Sequence, residues 1–353
     1  MAPKKRGTPV EEERPSSPAG RLTSALRKEF KDDVFLGASH LDSEPKTYIS
    51  TRIATLDYAI RAPGVPSGHA SIFIGKEGGG KSSVLYHVMA ECQSRGGIAM
   101  LIDAERRFMP DRAAKMDVDL DELIVVTAHT AEKVFTIVEE TVKDMAAHAP
   151  NTPMIIGIDS LSGLVSEKAL EKELGEASVG LVARVTSSAF PRFVDDLAKT
   201  QVALIVVNQL RAYIDMSNGR NKERRKVMKE KSMVAEATLV YYGSLILYFT
   251  STGLLGERDD PTGISVRAEV RKSSIGPGEG HQGEFDIGFL RGANLLKAKL
   301  DLLETLGVIE QSGGWYNFEG MEKKFRLADF AGVLEAHPEL DTIVKEAPTL
   351  WKT

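Results

Sequence analysis

Residues 71–95 read SIFIGKEGGGKSSVLYHVMAECQSR, and the fold turns on how that stretch divides. Residues 71–74 have the length and character of a buried strand, and residues 83–95 suit a helix. Between them lies Gly75-Lys76-Glu77-Gly78-Gly79-Gly80-Lys81-Ser82, followed by Ser83. The octet fits G-x-x-x-x-G-K-[ST], and strand, loop and helix are the context that gives this pattern meaning. Glycines let successive backbone N–H groups converge on phosphate oxygens, and the helix N-terminus adds partial positive charge. Lys81 can neutralise outer phosphates, and Ser82 can ligate magnesium. The competing reading is a chance match in a flexible glycine loop, and the residues farther along the chain decide against it.

Further runs rich in Val and Ile, at 98–102, 123–126, 154–158 and 202–207, alternate with helical or polar segments. Near-continuous apolar strands joined by crossover helices make a parallel sheet buried on both faces. Ligands of such sheets sit beyond the carboxyl ends of the strands. The runs at 245–249, 264–270 and 284–289 are separated by turn-rich segments and read as antiparallel strands that extend the sheet. After Gly292, Leu295, Leu296, Leu300, Leu303 and Leu306 follow a helical period with Gly307 placed as a C-cap, and GGWYNFEG at 313–320 reads as a turn and short strand. The expected fold is therefore α/β, with a central, mostly parallel sheet, an N-terminal helix carrying Leu22, Ala25, Leu26 and Phe30 at helical spacing, and a small C-terminal α+β domain. The expected boundaries are a disordered tail at 1–19, the helix and a linker at 20–46, the core at 47–292 and the small domain at 293–353.

The 353 residues are 42% hydrophobic and 27% charged, a balance that supports one large core plus a satellite domain. The single cysteine, Cys92, excludes an intrachain disulfide framework and leaves no cysteine cluster for zinc or iron–sulfur. It reads as a small apolar residue of a buried helix. No apolar run approaches the ~20 residues needed to span a bilayer, and the start of the chain lacks the apolar stretch of a secretory signal. A cytoplasmic location with no membrane partner is expected. A formal net charge of -5 does not argue against nucleic acid, because local patches set the electrostatic footprint. Residues 219–231, GRNKERRKVMKEK, hold seven Lys or Arg against two Glu. On charge alone such a run is a solvated face.

The strand ends carry the chemistry. The run at 154–158 delivers Asp159, where the second metal-binding motif of a nucleotide hydrolase needs a carboxylate. The run at 98–102 ends in Asp103-Ala104-Glu105. A carboxylate there can orient and deprotonate the water that attacks a γ-phosphate, and either acid can instead cap the following turn. The run at 202–207 ends in Asn208-Gln209, two amides beside the phosphate edge, and a glutamine there can pass the loss of the γ-phosphate to the loop that follows. That loop contains the basic run.

The succession IGKEGGGKSS, LIDAERRFMPDRAAKMDVDLDEL, IIGIDSLSGL, EKELGEASVGLVARVTSSAF and ALIVVNQLR resembles the RecA family of recombinases in order and spacing, over roughly residues 21–340. The likeness suits a phage-type, UvsX-like member as readily as a bacterial one. It implies a RecA-like P-loop ATPase core that binds ATP and Mg2+. Gly75, Lys76, Glu77, Gly78, Gly79, Gly80, Lys81, Ser82 and Ser83 would hold the triphosphate, Glu105 would be the catalytic base and Gln209 the switch. Ser82 and Asp159 would stand on the magnesium side. Arg112 and Phe289 stand where relatives hold the adenine. Lys272 matches a basic residue that a neighbouring subunit sends to the γ-phosphate, whereas the second such position is Ser274, with Arg271 as a stand-in.

The DNA side implied by the resemblance is two loops, about 173–180 and 210–236. Val179 and Ile214 stand where the family places apolar residues at separated base steps, and Arg184 where it contacts phosphate. Arg211 and the run members Arg220, Lys222, Arg224, Arg225 and Lys226 are expected to touch DNA phosphates, which fixes position without reading sequence. The second loop is longer than in bacterial relatives, Ala235 and Glu236 replace its usual glycine pair, and the basic run is an addition. The implied function is an ATP-dependent recombinase that forms a homo-oligomeric helical filament on single-stranded DNA, with homologous duplex DNA as its second substrate. Loader or single-strand-binding proteins would be its partners. A ring-forming helicase on the same core, and an ATP-gated assembly protein without a DNA role, are the alternatives.

Overall fold

The glycine-rich stretch begins at the end of the strand that lies near the middle of the main sheet. A computed structural model describes residues 17–30, 45–171, 180–210, 233–319, 321 and 323–352. The chain divides into two units, residues 1–44 and 45–353. In the first, helix α1 (Pro18–Phe30) starts where the Ser17 hydroxyl accepts from the Gly20 N–H at 3.0 Å, and it ends on Arg27 and Lys28, cations that suit the negative end of a helix dipole.

In the second unit, β1 (Tyr48–Ile49) pairs with β2 (Val65–Pro66), and helix α2 (Ala54–Ile60) lies between them in sequence. The main sheet follows, built from β3 (Ala70–Gly75), β4 (Ile98–Asp103), β5 (Leu123–Val126), β6 (Met154–Asp159), β7 (Val202–Gln209), β8 (Gly243–Glu257), β9 (Asp260–Ser273), β10 (Gln282–Gly288) and β11 (Gly292–Ala293). Their order across the sheet is β11-β10-β9-β8-β3-β7-β6-β4-β5. The ladders from β8 to β5 are parallel, and those from β8 to β11 are antiparallel. The crossovers are helices α3 (Lys81–Ser94), α4 (Pro110–Ala114), α5 (Ala131–His148), α6 (Glu167–Leu170) and α7 (Leu181–Ala198). Central strands buried on both faces need no polar alternation: β3 is buried along its whole length, and β6 and β7 are apolar up to Asp159 and Asn208.

One strand departs from expectation. The turn-rich flanks of β8 predict an antiparallel strand, but it runs parallel to β3, with Phe73 opposite Leu247 and Gly75 opposite Phe249. The reason is a helix at Glu236–Tyr242, directly before β8, which completes a crossover and returns the chain to the same end of the sheet. Its seven residues, EATLVYY, follow a polar stretch of sequence and are too few to show a convincing period. The other two late strands, β9 and β10, are antiparallel as expected.

Side chains alternate between two cores. Phe73, Leu85, Met89, Leu101, Ile205 and Leu247 pack on the face under α3, and Ile72, Ile102, Ile156, Val206, Phe135 and Phe193 on the face under α5 and α7. Each such fully buried side chain contributes roughly 1.5–3 kcal/mol of transfer free energy. Cys92 lies in the first core, where burial pushes its thiol up to about 12 and keeps it unreactive.

A third apolar cluster gathers Leu300, Leu303, Phe325, Phe330 and Val344 near the end of the chain and takes in Ala54 of α2. Its first helix, Leu295–Thr305, is capped by the Asn294 side chain, which accepts from the Lys297 N–H. Gly307 follows the helix end at φ +71°. The short hairpin pairs Glu310–Ser312 with Trp315–Asn317 across Gly313 and Gly314, both at positive φ, as a two-residue turn requires. Tyr316 and Phe318 pack on the cluster, while the Trp315 ring is exposed and carries the Arg326 guanidinium 4.5 Å from its centroid.

Candidate active site

The parallel registers put four residues on one edge. Gly75 is opposite Gln209, and Asp103 is opposite Asp159, so β3, β7, β4 and β6 all end on the same side of the sheet. Beyond that edge is a cavity of about 400 Å³, a volume within the range of small-ligand sites.

The glycine loop forms its floor. Gly75 (φ +157°) passes so close to β8 that a Cβ would lie 2.4 Å from the Phe249 carbonyl oxygen. Gly80, at φ +90°, caps α3 and faces the Ile287 side chain, which a Cβ would meet at 2.5 Å. Both positions therefore need the absence of a side chain. The buried Lys81 side chain turns back over the loop and donates to the carbonyls of Gly75 (3.2 Å) and Lys76 (2.6 Å). Burial holds its ammonium below the ordinary range, while Asp159, Glu105 and Glu77 oppose that shift. A desolvated cation carried on the first turn of α3 suits an anionic ligand.

The carboxylates separate by their surroundings. Asp103 is buried and fully engaged: Oδ1 accepts from the Arg107 N–H and Oδ2 from the Phe108 N–H, each at 3.0 Å. It organises the loop after β4. Glu105 reaches the cavity, and its Oε1 accepts from Gln209 Nε2 at 3.1 Å and from the Ser160 hydroxyl. Ser160 gives its only proton to Glu105, so Ser162, 2.6 Å away, donates to Ser160. Glu105 Oε2 lies 3.3 Å from Arg107 Nη1, which also donates to Glu77 Oε1 at 2.6 Å. Asp159 is raised above the usual carboxylate range, first by burial, with the Ser82 side-chain hydrogen bond opposing that shift.

Asn208, next to Gln209, is fully buried and donates to the Val234 carbonyl at 2.8 Å. The Leu210 N–H donates to the Gly75 carbonyl at 3.2 Å. Both ends of the segment after β7 are thus tied to this edge of the sheet. On the far wall of the cavity, Arg112 donates through Nη2 to Ser83 Oγ at 2.8 Å, its buried Nε has no acceptor among the described residues, and Phe289 is 42% exposed. Tyr86, Leu101, Phe108, Met109, Val207, Ile264 and Ile287 supply further apolar lining.

Of the residues expected at the nucleotide, Glu77 to Ser83, Glu105, Arg112, Asp159, Gln209 and Phe289 line this cavity. Gly75 and Lys76 support it through their carbonyls. Lys272 is away from it: its Nζ donates to the Val240 and Tyr241 carbonyls at 2.7 and 3.4 Å. Arg271 pairs with Glu269 at 3.0 Å and lies over the Tyr248 ring. Arg184 is exposed on the first turn of α7, which Gly180 caps at φ +81°. Val179, Arg211, Ile214, Arg220, Lys222, Arg224, Arg225 and Lys226 lie outside the described residues. Reading the sequence alone missed Ser160, whose signal is a hydroxyl directly after the strand-end Asp159, and Arg107, whose place depends on how the loop after β4 turns.

A family model described as the RecA N-terminal domain matches residues 23–294. Among curated proteins similar to this chain, Protein RecA of Chlorobium limicola is 32% identical over 275 residues, which is 78% of this chain and 74% of that relative. Protein RecA of a Synechococcus strain is 32% identical over 305 residues, covering 85% of this chain and 75% of its own length. Protein RecA of Nostoc punctiforme is 32% identical over 298 residues, or 84% and 78%.

Proposed function

We propose the following division of labour from the premise that this chain belongs to the RecA family. It is an ATP-dependent DNA recombinase, a DNA-dependent ATPase of recombination and repair. The loop from Gly75 to Ser83 binds the triphosphate through its N–H groups, and Lys81 leaves its two carbonyls to meet the outer phosphates. Arg112 and Phe289 hold the base between a guanidinium and a ring. The hydroxyl of Ser82 and the carboxylate of Asp159 are hard oxygen donors in contact with each other, which fits magnesium. When bound, that ion neutralises charge on the phosphates.

Glu105 orients the attacking water and takes its proton. The water oxygen bonds to the γ-phosphorus as the bond to the β–γ bridging oxygen breaks, leaving ADP and phosphate. The single observation that carries this assignment is the set of donors on Glu105: Ser160 and Gln209 fix Oε1 at the cavity edge. Gln209 also links that carboxylate to the segment that begins at Leu210, so loss of the γ-phosphate is felt by the DNA-contacting loops of about 173–180 and 210–236. Lys272 of a neighbouring copy adds charge at the γ-phosphate, which places ATP between subunits of a filament. Helix α1 serves the contact between copies, residues 47–292 are the ATPase core and 293–353 a small accessory domain. Among the described residues no helix is long and apolar enough to cross a membrane, and the cytoplasm is the proposed location. Loader and single-strand-binding proteins are the proposed helpers.

Glu105→Gln tests the assignment. The variant should bind ATP normally, hydrolyse it about 10²–10⁴-fold more slowly and stay locked on single-stranded DNA. Parent-like turnover would remove Glu105 from the role of base.

A further inference from the structure

Arg107 is a cation at the cavity wall whose present partners are two acids of the same site. Its Nη1 lies 2.6 Å from Glu77 Oε1 in the phosphate loop and 3.3 Å from Glu105 Oε2. The side chain is 66% exposed, so it is held by these two ion pairs and not by packing. Its backbone is a different matter. The buried Asp103 carboxylate accepts from the N–H groups of Arg107 and Phe108, and Arg106 sits at φ +54°, a left-handed turn that non-glycine residues seldom adopt. The loop is thus anchored at its base while the guanidinium above it can swing.

The charge balance gives that freedom a purpose. The lining holds Glu77, Asp103, Glu105 and Asp159 against Lys81, Arg107 and Arg112. Arg112 is engaged with Ser83 on the far wall, and Lys81 is buried on the loop floor. Arg107 is therefore the cation beside Glu105 that can meet the outermost phosphate from the side of the attacking water. A triphosphate offers three terminal oxygens that accept a guanidinium fork better than two separate carboxylates do.

We propose that Arg107 is a catalytic residue supplied by the same chain: on ATP binding its guanidinium leaves Glu77 and Glu105 for the γ-phosphate oxygens. It stabilises the charge that develops there during transfer and frees Glu105 Oε2 for the proton of the attacking water. This inference rests on the reading of Glu105 and the phosphate loop given above. It also explains how the site works with Ser274, a neutral residue, at the second position expected to be basic.

The test compares the full-length parent, Arg107→Ala and Arg107→Lys in steady-state ATP hydrolysis on single-stranded DNA and in binding of ATP and ADP to each protein. Arg107→Ala is expected to lower kcat about 10²-fold and to weaken ATP binding while leaving ADP binding unchanged, since ADP lacks the γ-phosphate. Arg107→Lys, which keeps the charge and loses the fork, should fall between. Unchanged ADP binding also reports an intact fold. Parent-like or faster hydrolysis by Arg107→Ala, or equal loss of ATP and ADP affinity, would overturn the proposal. If the parent itself hydrolyses ATP indifferently to DNA, the functional reading fails on its own terms, and the ATP-to-ADP affinity ratio still decides the role of Arg107.

Discussion

Glu105 and Asp103 are two residues apart and chemically alike, yet their surroundings give them different tasks. Asp103 accepts two backbone N–H groups and is spent on the loop, whereas Glu105 meets side-chain donors at the cavity. The sequence leaves that choice open because both acids follow the same strand. A third residue shows the same dependence on context. His87, on α3, is buried, and its Nε2 accepts from the Ala293 N–H at 2.9 Å, which holds the end of the turn that carries Phe289. Burial depresses it from 6.5 to about 4, so the folded state keeps it neutral with the proton on Nδ1. The unfolded chain takes up the proton first as pH falls. Stability that His87 leaves intact above pH 6.5 is therefore lost as pH drops toward about 4. His87→Gln keeps an acceptor without the titration. Thermal unfolding of the parent should fall more steeply across that window than unfolding of the variant, and parallel curves would contradict the assignment.

At the scale of elements, the site depends on how the exits of β4 and β6 meet. The Ala104 N–H donates to the Asp159 carbonyl at 3.0 Å, and the turn after β6, Leu161–Gly163, packs against Glu105. A Cβ on Gly163 would lie 2.5 Å from Glu105 Cγ, so an alanine there must displace the carboxylate. Gly163→Ala should lower kcat by about 10²-fold, as expected for a catalytic group moved by about 1 Å, with ATP affinity retained. A parent-like kcat in a nucleotide release or coupled hydrolysis assay would show that the turn has slack. The phosphate loop and strand-end acids are legible in the sequence because each is set by a few neighbouring residues. The partners of Glu105 are not, since Ser160 and Gln209 come from other strand exits and Arg107 reaches it only through the turn of the loop after β4. The parallel direction of β8 was missed for a related reason: the seven-residue helix that sets it is stabilised by packing, with Leu239 fully buried, and not by a visible period.

For the whole molecule, the proposed function couples an ATP site at one sheet edge to the segment after β7, proposed to contact DNA, which starts on the same edge. Gln209 bridges the two through Glu105, and Asn208 ties Val234 to the strand end, so the segment between residues 210 and 234 is clamped at both ends by the nucleotide edge. The run GRNKERRKVMKEK lies inside that stretch of sequence, and the proposed function makes DNA phosphate its partner. Coupling through shared residues is reciprocal: if DNA alters how the segment is held, the position of Glu105 responds. The most direct test of that coupling is the rate of ATP hydrolysis by the full-length chain with and without single-stranded DNA. A clear rise in kcat is expected when DNA is added; an identical rate under both conditions would rule the coupling out.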